Sequence, residues 1–184
     1  IKINLNIKSL RSSGYRKLVK PSYELILDVG NVGPDYISGH SHSDTFTFEL
    51  HINEKPVIVD TGVSTYEKNE RRHLERSTKS HNTILVDDID QSELWSGFRT
   101  ANRAKIINLI DTDNSIEATH DGYKKIGVLH TRKFVFNDNE IQIFDEMTSK
   151  KYHKYSSFLH FHPSVSVQKQ KEYLIINGAY VDFK

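Results

Sequence analysis

The densest group of side chains that could do chemistry is the segment Gly39-His40-Ser41-His42-Ser43-Asp44. It stands directly before an alternating apolar run, and side chains two residues apart lie on the same face of a β-strand. Counting back from Phe46 along that strand places His40, His42 and Asp44 on the inward, apolar face. A buried polar group without a partner costs about 1–3 kcal/mol. These side chains therefore need partners, and a metal ion or a substrate anion would supply them.

Two further residues could complete such a site. The short apolar run 57–59 follows the turn residues 53–56, so we expect it to return as the second strand of a hairpin. Asp60 stands directly after this run. His81 opens the next apolar run. Two imidazoles and one carboxylate form a ligand set that zinc accepts, with a fourth position for water or another group. The chain has ten histidines and no cysteine, so any metal site must use nitrogen and oxygen ligands.

The period of the apolar residues predicts the elements that must position these side chains. Over residues 45–52 apolar and polar side chains alternate without a break, which is typical of a half-buried antiparallel strand. Short apolar runs separated by Asp, Asn and Gly clusters recur along the rest of the chain. Only residues 65–79 are polar and turn-free enough for a helix or an ordered loop. The pattern predicts an all-β protein, an antiparallel β-sandwich of many short strands.

Composition limits the other classes of function. The 184 residues carry 25 Lys and Arg against 24 Asp and Glu, a formal charge of +1, which argues against a dedicated nucleic-acid-binding protein. No apolar run approaches about 18 residues, so we expect no membrane span. The chain begins at Ile1 without a methionine or a signal-peptide pattern, so we expect a piece of a longer protein. We interpret residues 1–20, which include a basic stretch, as a linker and residues 21–184 as the sandwich domain.

Several short motifs, taken in their order along the chain, resemble those of a known family. They are Ser13-Gly14-Tyr15, Asp28-Val29-Gly30, Gly39-His40-Ser41-His42-Ser43-Asp44, Phe48-Glu49-Leu50, Val59-Asp60-Thr61-Gly62, Arg76-Ser77-Thr78, His81-Asn82-Thr83 and Gln91-Ser92-Glu93. Over residues 14–146 this pattern is similar to the C-terminal domain of the heparinase II/III-like polysaccharide lyases. The resemblance implies a supersandwich-like antiparallel β-sandwich and, upstream in the parent protein, an α/α toroid domain.

The resemblance also implies roles for individual residues. His42, Asp60 and His81 match the positions that hold a zinc ion, and His40 matches the catalytic histidine that faces the substrate across the domain interface. The family's catalytic tyrosine lies on the toroid, so no residue of this chain inherits its role. The implied substrate is an acidic, uronate-containing polysaccharide that is cleaved by β-elimination, and such lyases are often periplasmic. We therefore expect the chain alone to bind zinc and to have little or no activity.

Two residues are predicted to contact the substrate. Arg76 is one of several arginines whose planar guanidinium could bind a carboxylate or a sulfate group, although a structural ion pair is the competing interpretation for each of them. Tyr66 lies in the segment after the predicted hairpin and could face the same cleft. His120 and His130 have no predicted role.

Two alternative functions can be weighed from the sequence. A cupin-like metalloenzyme also carries His-x-His on a strand, but that pattern requires Glu about four or five residues after the second histidine, where this chain has Phe46 and Thr47. A non-catalytic sandwich, which binds carbohydrate or acts as a scaffold and keeps zinc for stability alone, is the second alternative. If there is no metal, His40 and Asp44 cap a loop and His81 is a hydrogen-bonded core histidine.

Overall fold

The computed structural model describes residues 9–10, 12–171, 173–176 and 179–182. The strands in these ranges are β1 (Ser9–Leu10), β2 (Tyr15–Val19), β3 (Tyr23–Asp28), β4 (Phe48–Ile52), β5 (Lys55–Ile58), β6 (Ile84–Val86), β7 (Glu93–Trp95), β8 (Arg99–Ala101), β9 (Ile106–Asp111), β10 (Ser115–His120), β11 (Leu129–Phe136), β12 (Ile141–Thr148), β13 (Tyr155–Ser157), β14 (Val167–Lys169), β15 (Tyr173–Ile176) and β16 (Ala179–Asp182). Helix α1 spans Glu70–Arg76, and short 3-10 helices span Thr78–Ser80 and Lys124–Ile126. None of the helices in the described ranges has the length and hydrophobicity needed to cross a membrane.

Two antiparallel sheets pack their apolar faces into the main core. The first has the strand order β1-β2-β3-β4-β5 and the second β12-β11-β10-β9. Leu25, Leu27 and Phe48 of the first sheet belong to the same buried cluster as Ile116 and Phe134 of the second. Strands β3, β10 and β11 bury every second residue, as expected where one face of a sheet packs on a core. The predicted all-β sandwich is confirmed, and smaller sheets (β14-β15-β16, β13-β6 and β7-β8) complete it.

The predicted strand over residues 45–52 is wrong at its beginning. β4 starts at Phe48, and the residues before it form a loop. Phe46 has a φ of 74°, in the left-handed region that a bulky side chain rarely adopts, and the Thr47 N–H donates to the Asp44 carbonyl at 2.8 Å. Phe46 is fully buried nevertheless. Thr45 and Thr47, which the alternation assigns to the polar face, are buried as well. The turn therefore buries both sets of side chains, and the alternation predicts the burial of Phe46 and Phe48 but not that of the two threonines.

The hairpin and the helix are present where the sequence predicts them, although β5 begins at Lys55, inside the predicted turn, and ends at Ile58. The β4–β5 hairpin turns at Asn53 and Glu54, which both have positive φ, as a type I′ turn requires. Helix α1 falls inside the predicted segment 65–79. Its N-cap residue, Asn69, accepts a hydrogen bond from the backbone N–H of the third helical residue at 2.9 Å, which satisfies one of the free donors at the helix start.

The predicted boundary at residue 20 has to move toward the N-terminus. β2 pairs with β3, and β1 pairs with β2, so the described residues of these strands belong to the sandwich rather than to a linker. Gly14 has a φ of 86°, and a Cβ built on it would stand 2.1 Å from the Cα of Gly30. This close approach explains why the motifs of β2 and β3 each carry a glycine. Residues 1–8 and 11 of the predicted linker lie outside the described residues.

A chain of buried hydrogen bonds runs across β10, β11 and β12. The Gly122 N–H donates to Nδ1 of His120 at 3.0 Å, which assigns the His120 proton to Nε2, and Nε2 donates to Nδ1 of His130 at 3.0 Å. Nε2 of His130 then donates to Asp145 at 2.7 Å, and Arg132 binds both oxygens of that carboxylate at 2.7 and 2.8 Å. Burial is the main cause that lowers the pKa of both histidines. Both imidazoles are therefore neutral at pH 7.

These buried histidines predict a loss of stability in mild acid. The pKa of a histidine in the unfolded chain is about 6.5. Burial, followed by the neighbouring His130 and Arg132, holds the pKa of His120 well below that value. As the pH falls below about 6.5, the unfolded chain therefore binds a proton that the folded protein excludes. The free energy of unfolding should then fall by up to about 1.4 kcal/mol per pH unit because of this residue.

Urea unfolding between about pH 7 and pH 5 measures this effect. The wild type should lose more stability over this range than His120→Gln, which has no imidazole to protonate at that position. His73 is exposed, so His73→Gln should keep the pH dependence of the wild type. Equal pH dependence in the wild type and His120→Gln would contradict the assignment.

Candidate metal centre and substrate cleft

Two separate segments bring three possible metal ligands together. His42 and Asp44 come from the loop before β4, and His81 follows the first 3-10 helix. One ligand atom from each of them lies within 4.8 Å of the others, and the two imidazole centroids are 5.2 Å apart. His81 is buried and the other two are half-buried. One cation could bind all three after small side-chain movements.

Asp60 hydrogen-bonds to the Nδ1 atom of His81 and so fixes the orientation of its imidazole. Nδ1 of His81 lies 2.7 Å from Oδ2 of Asp60, which also accepts a hydrogen bond from the Thr47 hydroxyl at 3.0 Å, while Oδ1 accepts one from the Gly62 N–H at 3.0 Å. Burial by itself would raise the pKa of Asp60, but the hydrogen bond from His81 and the other donors lower it to about 2. Asp60 is therefore ionised at neutral pH, and it orients the imidazole.

The donor set fits a divalent cation. Nε2 of His81 is buried and has no hydrogen-bond partner, a state that costs about 1–3 kcal/mol unless a ligand satisfies it. Burial and then the neighbouring His81 lower the pKa of His42 to about 4, so its imidazole is neutral and has a free lone pair. Loss of water contact raises the pKa of Asp44, and this effect outweighs the opposing influence of His81. A positive ion among the three groups would offset the cost of keeping Asp44 charged.

The group of three side chains differs in one member from the predicted ligand set. Asp44 lies with the two histidines, whereas Asp60, the carboxylate predicted as a ligand, binds the opposite ring nitrogen of His81. In metal sites this second arrangement is that of a carboxylate that orients a histidine ligand without touching the ion. The sequence does not separate the two aspartates, because both lie within a few residues of β4 or β5.

The loop that carries His42 is fixed through Ser43. The Ser43 N–H donates to the Arg76 carbonyl at 2.9 Å. The Ser43 hydroxyl accepts hydrogen bonds from the Thr78 hydroxyl and from the Ser92 N–H, both at 2.8 Å. Ser43 is fully buried, so these contacts replace its hydration. The hydrogen bonds position the flanking histidine and Asp44 relative to α1.

Arg76 has a different place from the predicted one. Its side chain is only 1% exposed. Nε and Nη2 donate to the Ser41 carbonyl at 3.0 and 2.9 Å, Nη1 donates to Gly97 at 3.1 Å, and Nη2 also donates to the Thr100 hydroxyl at 3.0 Å. The guanidinium thus fixes the backbone of the loop that carries His40 and His42 through the Ser41 carbonyl. This burial argues against the predicted contact between Arg76 and the substrate.

The outer side of the loop presents a histidine beside two aromatic rings. His40 is exposed, and its ring meets Tyr66 and Phe98 edge-on with centroid distances of 5.6 and 5.8 Å. Tyr66 and Phe98 stack nearly parallel at 6.1 Å and are 59% and 41% exposed. The guanidinium carbon of Arg72 lies 4.9 and 4.7 Å from their centroids. The structure therefore brings Tyr66 next to His40; contact of either with a substrate stays a prediction.

A cleft of about 410 Å³ lies beside this cluster, and more carboxylate side chains line it than the sequence predicted. Its charged and hydrogen-bonding side chains are Tyr15, Asp28, His40, His42, Asp44, Thr47, Glu49 and Asp60. Tyr15 and Asp28 are cross-strand partners on β2 and β3. Burial and then Asp44 raise the pKa of Asp28 to about 7, and burial followed by Asp28 raises the pKa of Tyr15. The crowding of carboxylates is a second reason to expect a bound cation.

Tyr15 and Asp28 are site residues without a predicted role. Their signal in the sequence is the pair of glycine motifs, Ser13-Gly14-Tyr15 and Asp28-Val29-Gly30. The glycines explain the close approach of the two strands, and the residues beside them face the cleft as a consequence. The two motifs could have singled out both residues in the sequence. That Tyr15 lies opposite Asp28 depends on the register of β2 and β3, which the sequence pattern does not give.

Comparison with known proteins gives a consistent family. The family model described as heparinase II/III-like, C-terminal, matches residues 2–179. No curated protein matches the chain. A solved heparan sulfate lyase HepC from Pedobacter heparinus is 18% identical with a TM-score of 0.63, and the match covers 88% of this chain and 25% of that one. A heparinase III gene product is 20% identical with a TM-score of 0.67 over 88% of this chain and 25% of that one. Another heparinase III is 19% identical with a TM-score of 0.62, over 88% and 26% of the two chains.

The two kinds of comparison carry different weight. At these identities the structural matches show the fold, and the chain spans about a quarter of the length of each of those proteins. The family model matches nearly the whole chain. The chain therefore belongs to the heparinase II/III-like family, of which it is the C-terminal domain.

Proposed function

We propose that this domain supplies a zinc centre and a substrate-facing histidine to a lyase that cleaves an acidic, uronate-containing polysaccharide by β-elimination. The observation that carries the proposal is the position of His40, which is exposed at a cleft directly beside the His42, Asp44 and His81 cluster. The family membership supports it, and the solved proteins of this fold include a heparan sulfate lyase and heparinases.

The proposed reaction needs three kinds of help. The proton on C5 of the uronate is removed, the electron pair forms the C4–C5 double bond, and the C4–O bond breaks so that the oxygen leaves with a proton. A catalyst must therefore neutralise the sugar carboxylate, accept the C5 proton and protonate the leaving oxygen. The imidazole of His40 is exposed at the cleft and can accept a proton or a hydrogen bond, so His40 suits the second task.

His42, Asp44 and His81 are the residues that would hold the zinc ion, with Asp60 orienting His81. When bound, zinc would supply a positive charge that offsets the carboxylates of the cleft and disfavours protonation of the neighbouring imidazoles. The same charge would reduce the repulsion between this acidic cleft and a polyanionic substrate.

The aromatic pair beside His40 is proposed to bind the sugar chain. Tyr66 and Phe98 present exposed, nearly parallel rings, and Arg72 behind them is fixed by hydrogen bonds to the Gly97 and Thr65 carbonyls at 2.7 and 3.1 Å. Rigid aromatic faces bind a ring without much loss of conformational freedom. The remaining acid or base group is expected on the upstream α/α toroid of the parent protein, and the periplasm is the proposed compartment.

Elemental analysis of the purified chain tests the metal centre. We expect about one zinc per wild-type chain and its loss in His42→Ala or His81→Ala. Asp44→Asn removes a proposed ligand and should weaken zinc binding more than Asp60→Asn, for which a decrease of about 10–100-fold is typical of an orienting residue. His162 hydrogen-bonds to Ser164 outside the cluster, so His162→Ala should keep its zinc. Absence of zinc from the wild type, or unchanged zinc in His42→Ala, would contradict the proposal.

Product analysis of the parent protein tests the reaction. With some uronate polymer it should release 4,5-unsaturated products that absorb in the ultraviolet. His40→Ala should lower kcat by about 10²–10⁴-fold, the range of a lost acid–base group, while the zinc content stays that of the wild type. Tyr66→Ala should mainly raise KM. Hydrolytic products, or no cleavage of any polymer in a broad panel, would favour the non-catalytic alternative.

A further inference from the structure

One buried guanidinium joins the two segments that carry the proposed metal ligands. Nη1 of Arg132 donates to the Phe46 carbonyl at 2.9 Å and to the Asn82 carbonyl at 2.7 Å. Phe46 is two residues after Asp44, and Asn82 directly follows His81. Arg132 lies on β11 of the opposite sheet and is 2% exposed. The Nη1 atom of Arg132 thus links the segment that carries Asp44 to the segment that carries His81.

From this arrangement we propose that Arg132 is a positioning residue of the site, which it holds through the backbone on both sides of the cluster. The proposal rests on the proposed metal centre for its first measurement, and a second measurement is independent of it. Arg132 makes no hydrogen bond to a proposed ligand side chain and does not line the cleft, so it acts on the site through the two carbonyls.

The loop needs such support because its turn is strained. Phe46 has a positive φ of 74°, and a bulky residue in a sparsely populated region costs about 1–3 kcal/mol. Its ring is gripped by His120 and His130, with centroid distances of 4.9 and 5.1 Å. Its carbonyl is held by Arg132. Without these contacts the turn could relax toward an extended strand, which would turn the Asp44 side chain away from His81.

The second segment is anchored through Asn82. Its side-chain amide donates to the Phe48 carbonyl at 2.8 Å and to the Val59 carbonyl at 3.0 Å, so it joins β4 to the residue after β5. The Asn82 N–H donates to the Thr47 hydroxyl at 3.2 Å. Arg132 adds the bond to the Asn82 carbonyl. His81 therefore precedes a residue that is fixed at its N–H, its carbonyl and its side chain.

The position of the Arg132 guanidinium is itself fixed by the buried hydrogen bonds that join it to Asp145, His130 and His120. Its Nε and Nη2 bind the two oxygens of Asp145, a pairing that only a planar guanidinium can make while Nη1 bonds two carbonyls. Asp145 also accepts from His130, which accepts from His120. Burial would raise the pKa of Asp145, but Arg132 and His130 hold it below its usual range. The carboxylate is therefore charged and locks the guanidinium in place.

Arg132→Lys in the full chain is the test variant. Lysine keeps the positive charge beside Asp145, so the variant should fold, but one ammonium cannot bind both carboxylate oxygens and both carbonyls. Phe136→Leu, at the end of the same strand, is the control, because Phe136 is 2% exposed in the core and makes no side-chain hydrogen bond to the loop. Asp145→Asn is a second test variant, which removes the charge that holds Arg132.

The first measurement is the dissociation constant for Zn²⁺, obtained by competition with a chromophoric chelator. Arg132→Lys and Asp145→Asn should bind zinc at least about tenfold more weakly than the wild type, as typical for residues that orient a metal site. Phe136→Leu should bind zinc within about twofold of the wild type despite its loss of stability. An equal change in the test and control variants would overturn the proposal, because the effect would then follow stability alone.

Amide hydrogen exchange distinguishes failure of this proposal from failure of the metal centre. If the wild type binds no zinc, the metal centre is wrong, and the exchange of the Thr47 and Asn82 amides decides the role of Arg132. Selective acceleration at these two amides in Arg132→Lys, with no such selectivity in Phe136→Leu, supports positioning. The same exchange pattern in both variants overturns it.

Discussion

The hydrogen bond between Asp60 and Nδ1 of His81 is the interaction on which the site depends. It joins an ionised carboxylate to a fully buried imidazole at 2.7 Å, and it leaves Nε2 as a buried atom without a partner. A histidine in this state is costly in an apolar interior but well prepared to bind a cation. His42 and Asp44 stand where such a cation would bind. In the proposed metal centre, the same bond makes Asp60 the carboxylate that orients His81 and leaves Asp44 as the ligand.

The fold supports this site with arginines that bind backbone carbonyls. Arg76 holds Ser41 and Arg132 holds Phe46 and Asn82, and both guanidinium groups are almost fully buried. Such donors are needed because the carbonyls of Ser41, Phe46 and Asn82 lie outside the strand ladders, and a buried backbone carbonyl requires a hydrogen-bond donor. Burial and the nearby Arg72 lower the pKa of Arg76, which shows the electrostatic cost of this solution. The apolar core thus holds the two sheets together, and the buried arginines hold the loop segments of the site.

The two-residue period of the apolar side chains was sufficient to predict the all-β sandwich, and the His-x-His motif with His81 was sufficient to predict a cluster at one loop. The turn at Phe46 was not predictable, because the alternation of apolar residues contains no information on φ. Asp44 and Asp60 could not be separated, since their roles depend on which nitrogen of His81 each one meets. The sequence could not decide between a substrate contact and a structural role for Arg76, because a guanidinium binds a sugar carboxylate and a buried carbonyl equally well. His120 and His130 could not be paired, because their contact depends on the register of β10 and β11.

Anomalous diffraction at the zinc absorption edge, from crystals of the chain loaded with one equivalent of zinc, would show whether the metal centre exists and which carboxylate binds the ion. We expect one peak that lies about 2.0–2.2 Å from an imidazole nitrogen of His42, from Nε2 of His81 and from a carboxylate oxygen of Asp44, with Asp60 still bonded to Nδ1 of His81. A peak coordinated by Asp60 in place of Asp44 would contradict the assignment of the two carboxylates. The absence of a peak between the histidines would contradict the metal centre itself.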